Sequence, residues 1–182
     1  LEKLSVEWGR YLDVDGDGIG YRTLPGNKYP GAAYFTRGTG HNEYGRYSED
    51  PVEWEKNLLR LKKKIETVQE LLPQPEIHVL PGAEIGVIGF GSTDPAIREA
   101  LEYFKKQGVS IDYLRLRALP AAKEVKDFIE NHPMNFVVEL NRDGQLRLIL
   151  QSEFPEVASR LQSLAHLDGL PLSVNWLIRA LQ

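Results

Sequence analysis

The chain has 182 residues, a net charge of −4 and no cysteine. That balance excludes a basic field for nucleic acid. Without thiols, these residues hold no disulfide framework, no Cys nucleophile, no cysteine-held zinc and no thiolate-bound iron–sulfur cluster. No run approaches the roughly 20 apolar residues of a membrane helix, so no membrane contact is expected. No secretory leader is evident and the natural compartment is the cytoplasm. The chain starts at Leu1 without Met, inside ordinary sequence, and reads as a piece of a longer protein.

Residues 1–49 are rich in Gly and Tyr and carry little hydrophobic period. An irregular stretch of that length is uncommon in a compact domain unless it is functional or lies on a neighbouring surface. It is expected to be an arm or linker from a preceding domain, with an α/β domain over 50–182. Within it, Asp13, Asp15 and Asp17 with Gly18 match the first half of a calcium loop. The last ligand position, where a bidentate Glu belongs, is Leu24, and Pro25 forbids an exit helix. The stretch therefore reads as an Asp/Gly turn, and no metal site is expected. Farther on, a glycine-rich loop gathers Arg37, His41, Glu43 and Arg46. Polar loops held by a scaffold often carry function, but a lone His beside a Glu is more often a structural pair. These four residues are expected to contact a neighbouring domain, and no catalytic residue is expected. Trp8, Tyr11, Tyr21, Tyr29, Tyr34 and Tyr47 should be partly uncovered, a patch that favours self-association as a homodimer.

The longest helix is predicted over 50–72. Asp50 is its N-cap, Pro51 its first residue, and Trp54, Leu58, Leu61, Ile65, Val68 and Leu72 form one apolar stripe. Pro73 and Pro75 end it. A short strand over 77–80 follows, with His78 facing outward.

The organising stretch is 83–108. Ile85, Val87 and Ile88 make a short apolar run before a glycine turn, the signature of a strand covered on both faces. Asp94 is placed to cap the next helix, with Pro95 at its first position and Ile97, Ala100, Leu101 and Phe104 on its inner stripe. Gly108 closes it. A dinucleotide fingerprint needs a third glycine where Asp94 stands. Asp94 also puts a negative charge where a pyrophosphate would sit, so plain strand–turn–helix is the better reading.

A strand over 109–116, a helix over 120–131 and a strand over 136–140 follow. Glu139 and Asn141 then lie at a strand's carboxyl end, where open parallel sheets bind ligands; capping of the next helix is the competing explanation. Residues 145–154 and 155–167 read as helical, two helices or one broken helix, and Ser173 starts a last helix with Trp176 off its inner stripe, marking a contact surface.

Several of these segments resemble one family. The turn Gly89-Phe90-Gly91-Ser92, GIGYRTLPG at 18–26, FTRGTGHNEYGRYSED at 35–50 and VVELNRDGQL at 137–146 are similar to the C-terminal part of the alpha subunit of 2-oxoacid:ferredoxin (acceptor) oxidoreductases, the 2-oxoglutarate type most of all. The resemblance implies a transketolase C-terminal-domain-like fold: a three-layer α/β sandwich, its mostly parallel open sheet carrying helices on both faces. It also implies a parent enzyme that uses thiamine diphosphate, magnesium and an iron–sulfur cluster. That enzyme decarboxylates a 2-oxoacid such as 2-oxoglutarate, makes an acyl-CoA from CoA and reduces ferredoxin. The family's 2-oxoacid-recognition segments are absent from this chain, as is the thiamine-binding motif of the beta subunit. The resemblance thus implies a subunit-organising domain, inactive alone, whose partners are the rest of the alpha subunit and the thiamine-binding beta subunit. It binds no cofactor itself on this reading. A second reading makes it a module for an anionic cofactor such as CoA, held near Gly91, Ser92 and Asn141. A third, a hydrolase centred on His41, lacks any Ser- or Cys-centred motif.

Overall fold

A computed structural model describes residues 6–36 and 38–182. The chain divides into two compact units, Leu1–Leu71 and Leu72–Gln182.

The first unit is a run of turns bound to one helix, α1 (Pro51–Gln69). Asp50 caps it, accepting from the Val52 N–H at 2.8 Å. Its polar side chains grip the turns. Arg60 Nη1 donates to the Gly18 carbonyl at 2.9 Å, Thr67 Oγ1 to the Asp17 carbonyl at 2.7 Å, and Asn57 to the His41 carbonyl. Gly18 lies so close that a Cβ would collide with the α1 backbone, 2.8 Å from the Arg60 carbonyl, and its φ of +80° suits only glycine. The stripe Trp54, Leu58, Leu61 and Ile65 is left 44–55% exposed. The break between units therefore falls after Leu71 rather than at 49/50, because α1 makes these bonds to the turns before it. Tyr21, Tyr29, Tyr34 and Tyr47 are exposed and Trp8 and Tyr11 half-buried, as expected. Phe35, not anticipated, is the most exposed aromatic among the described residues at 88%.

The second unit is a five-stranded sheet in the order β1-β3-β2-β4-β5. Its strands are β1 (Glu76–His78), β2 (Ile85–Phe90), β3 (Ile111–Leu116), β4 (Met134–Glu139) and β5 (Leu161–Ala165); β1 alone runs antiparallel. The helices are α2 (Asp94–Lys106), α3 (Lys123–Asn131), α4 (Gln145–Glu153) and α5 (Val174–Ala180). Because side chains alternate along a strand, the apolar runs feed two cores. Val87, Tyr113 and Val138 pack with Ile97, Ala100 and Phe104 of α2 and Leu177 of α5. Their neighbours Ile88, Leu114 and Val137 pack with Val125 and Ile129 of α3 and Leu146 and Leu150 of α4. This is the three-layer, mostly parallel α/β sandwich that the continuous apolar strands imply.

Three local expectations are corrected. Residues 155–167 do not form a second helix: after α4 comes a 3-10 turn at Pro155–Arg160 and then β5. The spacing of Leu161 and Leu164 looks helical, but backbone pairing with β4 from Asn135 to Glu139 wins. Asp94 does not cap α2. Thr93 is the N-cap residue, and the Asp94 carboxylate turns instead to Arg98 and Tyr113. Trp176 does not mark an outer contact surface; it is half-buried against the α2–α5 core, its ring 4.5 Å from that of His166.

Candidate functional site: the strand-end crevice and the glycine-rich loop

At the carboxyl ends of β2, β3 and β4, three loops enclose a crevice of about 500 Å³. Gly91 and Asn141, candidates from the sequence, both line it; Ser92 does not. The glycine turn is locked by Thr93, whose Oγ1 accepts from the Phe90 N–H at 3.1 Å and donates to the Phe90 carbonyl at 2.8 Å. Gly91 takes a φ of +58° with open space where a side chain would be. Opposite, Asn141 Oδ1 accepts from the N–H groups of Asp143 and Gly144 at 3.1 and 2.8 Å. Its Nδ2 donates to Glu139 Oε2 at 2.7 Å. Glu139 and Asn141 thus act as caps of the loop and of α4.

Beside the crevice lies an ionic network that the sequence reading missed. Asp94 Oδ1 accepts from Arg98 Nε and from the Tyr113 hydroxyl, each at 2.9 Å, and sits 3.7 Å from Arg115 Nε. Glu76 bridges Arg98, Arg115 and Arg117 at 3.1, 3.4 and 3.8 Å. The signal for it was Arg115, one of two charged residues in the mostly apolar strand β3. Burial pushes the Asp94 carboxyl up, but hydrogen bonds from Arg98 and Tyr113 and the charges of Arg98 and Arg115 outweigh it. The group ends below its usual range. Burial, reinforced by the hydrogen bond to Asp94, raises the Tyr113 phenol. A carboxyl depressed on folding adds stability that is fully present above its unfolded pKa of about 3.9 and is lost as pH falls through the folded value. Asp94→Asn is therefore expected to lose about 1–2 kcal/mol at neutral pH. Urea unfolding of both proteins down to about pH 2.5 should show the gap closing with acid; a gap that persists at low pH rules out Asp94 ionisation as its source.

In the first unit, His41, Glu43 and Arg46 share one tight turn, while Arg37 lies outside the described residues. The turn is closed by Asn42 N–H to the Arg46 carbonyl at 2.9 Å, and Asn42 Oδ1 accepts from the N–H groups of Tyr44 and Arg46, both at 3.1 Å. The His41 ring stacks on Tyr11 with centroids 4.0 Å apart. Glu43 pairs with Lys56 of α1, and Arg46 with Glu7 at 3.5 Å. His41 and Glu43 therefore turn to different partners and do not form a catalytic pair. Asp13 accepts from the N–H groups of Gly16 and Gly18 at 2.9 and 3.0 Å, the geometry of an Asp turn. Asp13, Asp15 and Asp17 bring carboxylate oxygens within 4.8 Å of one another.

No family model matches the chain. Subunit alpha of 2-oxoacid:ferredoxin oxidoreductase 2 from Aeropyrum pernix is 30% identical over 177 residues, 94% of this chain. The chain is a relative of the alpha subunit of 2-oxoacid:ferredoxin oxidoreductases. Subunit alpha of oxidoreductase 1 from the same organism is 32% identical over 130 residues, 68% of this chain. The chain spans only 26% and 20% of the lengths of these two alpha subunits. The structure of 2-oxoglutarate:ferredoxin oxidoreductase from Magnetococcus marinus, with 2-oxoglutarate, coenzyme A and succinyl-CoA bound, superposes with a TM-score of 0.81. It is 23% identical, and the match covers 97% of this chain and 30% of that one, so the alpha-subunit relative shares its fold.

The ferredoxin-linked family implies an iron–sulfur cluster, and these residues do not fit one: with no cysteine there is no thiolate to ligate it. Glu139 in the crevice and Glu43 and Arg46 in the loop are likewise taken up by hydrogen bonds and ion pairs within the fold.

Proposed function

We propose that the chain is the C-terminal part of an alpha subunit of a 2-oxoacid:ferredoxin oxidoreductase, a domain that organises the enzyme without carrying its chemistry. The match over 94% of the chain to such a subunit carries this reading. The parent enzyme would oxidatively decarboxylate a 2-oxoacid such as 2-oxoglutarate, with thiamine diphosphate and magnesium on its partner subunit, CoA as acyl acceptor and ferredoxin as electron acceptor. Its compartment would be the cytoplasm; among the described residues no helix is long and apolar enough to cross a membrane.

Two features support an organising role. The polar residues of the 40–48 turn serve the turn itself, α1 and the neighbouring Glu7 and Tyr11, so they present a shaped surface rather than a reactive one. The α1 stripe and Phe35 leave apolar area uncovered, of the kind that marks a protein interface. The chain is expected to show no 2-oxoacid-dependent reduction of a viologen dye by itself. Adding the remaining alpha-subunit polypeptide and the thiamine-binding subunit should give turnover, and Leu58→Asp with Leu61→Asp should weaken that assembly at unchanged helix content. Turnover by the isolated chain would overturn the proposal, and so would assembly indifferent to the double substitution.

A further inference from the structure

The crevice at the strand ends, near which the second sequence reading put an anionic cofactor, has a shape and a charge that the organising role leaves unused. α2 follows β2 onto one face of the sheet, whereas α3 and α4 follow β3 and β4 onto the other. Chains that diverge in this way leave a gap at the carboxyl ends of the strands, the place where open α/β sheets take small ligands. Here the gap is about 500 Å³, the lower part of the range of ligand sites. Phe90, Leu119 and Ile149 give it an apolar wall and are 38–44% exposed. Gly91 adds nothing that fills it.

Two charged residues line it, Glu139 and Arg117. Glu139 has no exposed surface, and its oxygens accept from the Asn141 amide and the N–H groups of Leu146 and Arg147. Its charge is spent on the start of α4. Arg117 differs. It shares Glu76 with Arg98 and Arg115, and with Asp94 as the other carboxylate the three guanidiniums outnumber their acids by one. The ion pair of Arg117 is the longest there, 3.8 Å; its Nη1 also donates to the neutral Gln74 carbonyl at 3.4 Å, and its side chain is 44% exposed. The surplus positive charge therefore stands at the rim of an apolar gap.

We infer that this crevice binds a small amphipathic anion, its apolar body against Phe90, Leu119 and Ile149 and its carboxylate or other anionic head on Arg117. The site stands independently of the assembly proposed above. The test is titration of the 182-residue chain with naphthaleneacetate and with its neutral counterpart naphthaleneacetamide, followed by backbone amide correlation spectra. Saturable shifts should appear at Gly91, Leu119, Asn141 and Ile149, and the acid should bind about fivefold tighter than the amide. Arg117→Gln should abolish that preference while leaving the amide's affinity unchanged. Ile149→Glu, at an exposed helix position, should weaken the acid by about tenfold and the amide much less. Shifts confined to other residues, no saturation at millimolar ligand, or equal affinity for acid and amide would each overturn the inference. Turnover measurements on the assembled enzyme do not enter this test, so the two proposals fail separately.

Discussion

Replacing His132 by alanine is expected to cost about 3–5 kcal/mol of folding stability, because it leaves a buried carboxylate without its partner. His132 and Asp112 are 3% and 6% exposed. His132 Nε2 lies 3.0 Å from Asp112 Oδ2, and Nδ1 lies 2.7 Å from the Phe128 carbonyl. The other Asp112 oxygen accepts from the Leu80 N–H at 2.7 Å. One carboxylate thus ties β3 to the end of α3 and to the segment entering β2. Next to it, Asn135 Nδ2 donates to the carbonyls of Ile129 and His132, 3.1 and 3.3 Å away, which holds the α3–β4 corner. Gly86 is glycine for the same reason: a Cβ there would meet Phe128 at 2.8 Å and His132 Nδ1 at 3.1 Å. Burying a polar, hydrogen-bonded pair is itself costly, so exchanging both partners for leucine should destabilise far less than the sum of the two single alanine substitutions. Urea unfolding followed by circular dichroism measures all four proteins. A cost under about 1 kcal/mol for His132→Ala would mean that water or a neighbour satisfies Asp112 in its place.

That network also shows where the sequence could and could not be read. The sandwich was legible because its rule is local: Val87 and Ile88, or Val137 and Val138, are adjacent apolar residues in short runs, and adjacency in a strand means opposite faces. Helix α2 was legible through its stripe and the glycine after it, although its first residue was not. Capping depends on whether the Asp94 side chain finds a better partner, and Tyr113 and Arg98 are better. β5 was missed because a five-residue edge strand whose burial does not alternate carries no strong period; its identity comes from the backbone of β4. The Asp112–His132 pair joins residues 20 positions apart on different elements. Its trace was present all the same: a carboxylate inside the apolar run Ile111–Leu116 demands a partner. The candidate site divides in the same way. That Gly91 and Asn141 line the crevice was legible from turn chemistry and strand position, whereas the charge of Arg117 stands out only through how Glu76 and Asp94 are shared, which no local pattern encodes.

Side-chain acceptors hold the strand ends of this sheet, and the strictest case is Glu139. Helix α4 begins after Gly144, which has a left-handed φ of +65° and no side chain to cap with. The first N–H groups of a helix still need acceptors. Glu139 supplies them from the end of β4: Oε2 accepts from Leu146 N–H at 2.8 Å and Oε1 from Arg147 N–H at 3.2 Å. A negative charge at that end is also favoured by the helix dipole. Glu139→Ala should cost about 3 kcal/mol, since two N–H groups lose charged acceptors and the Asn141 amide loses its partner. Glu139→Gln keeps the shape but can offer only one acceptor oxygen, and about half that loss is expected. Hydrogen exchange locates the effect: the amides of Leu146 and Arg147 should exchange faster in both variants, while those of α2, on the opposite face, stay protected. A loss spread evenly over both faces would show that Glu139 supports the whole sandwich and not the start of α4. Because Leu146 and Ile149 of α4 line the crevice, its shape should follow this carboxylate: Glu139→Ala should blunt naphthaleneacetate binding without touching Arg117.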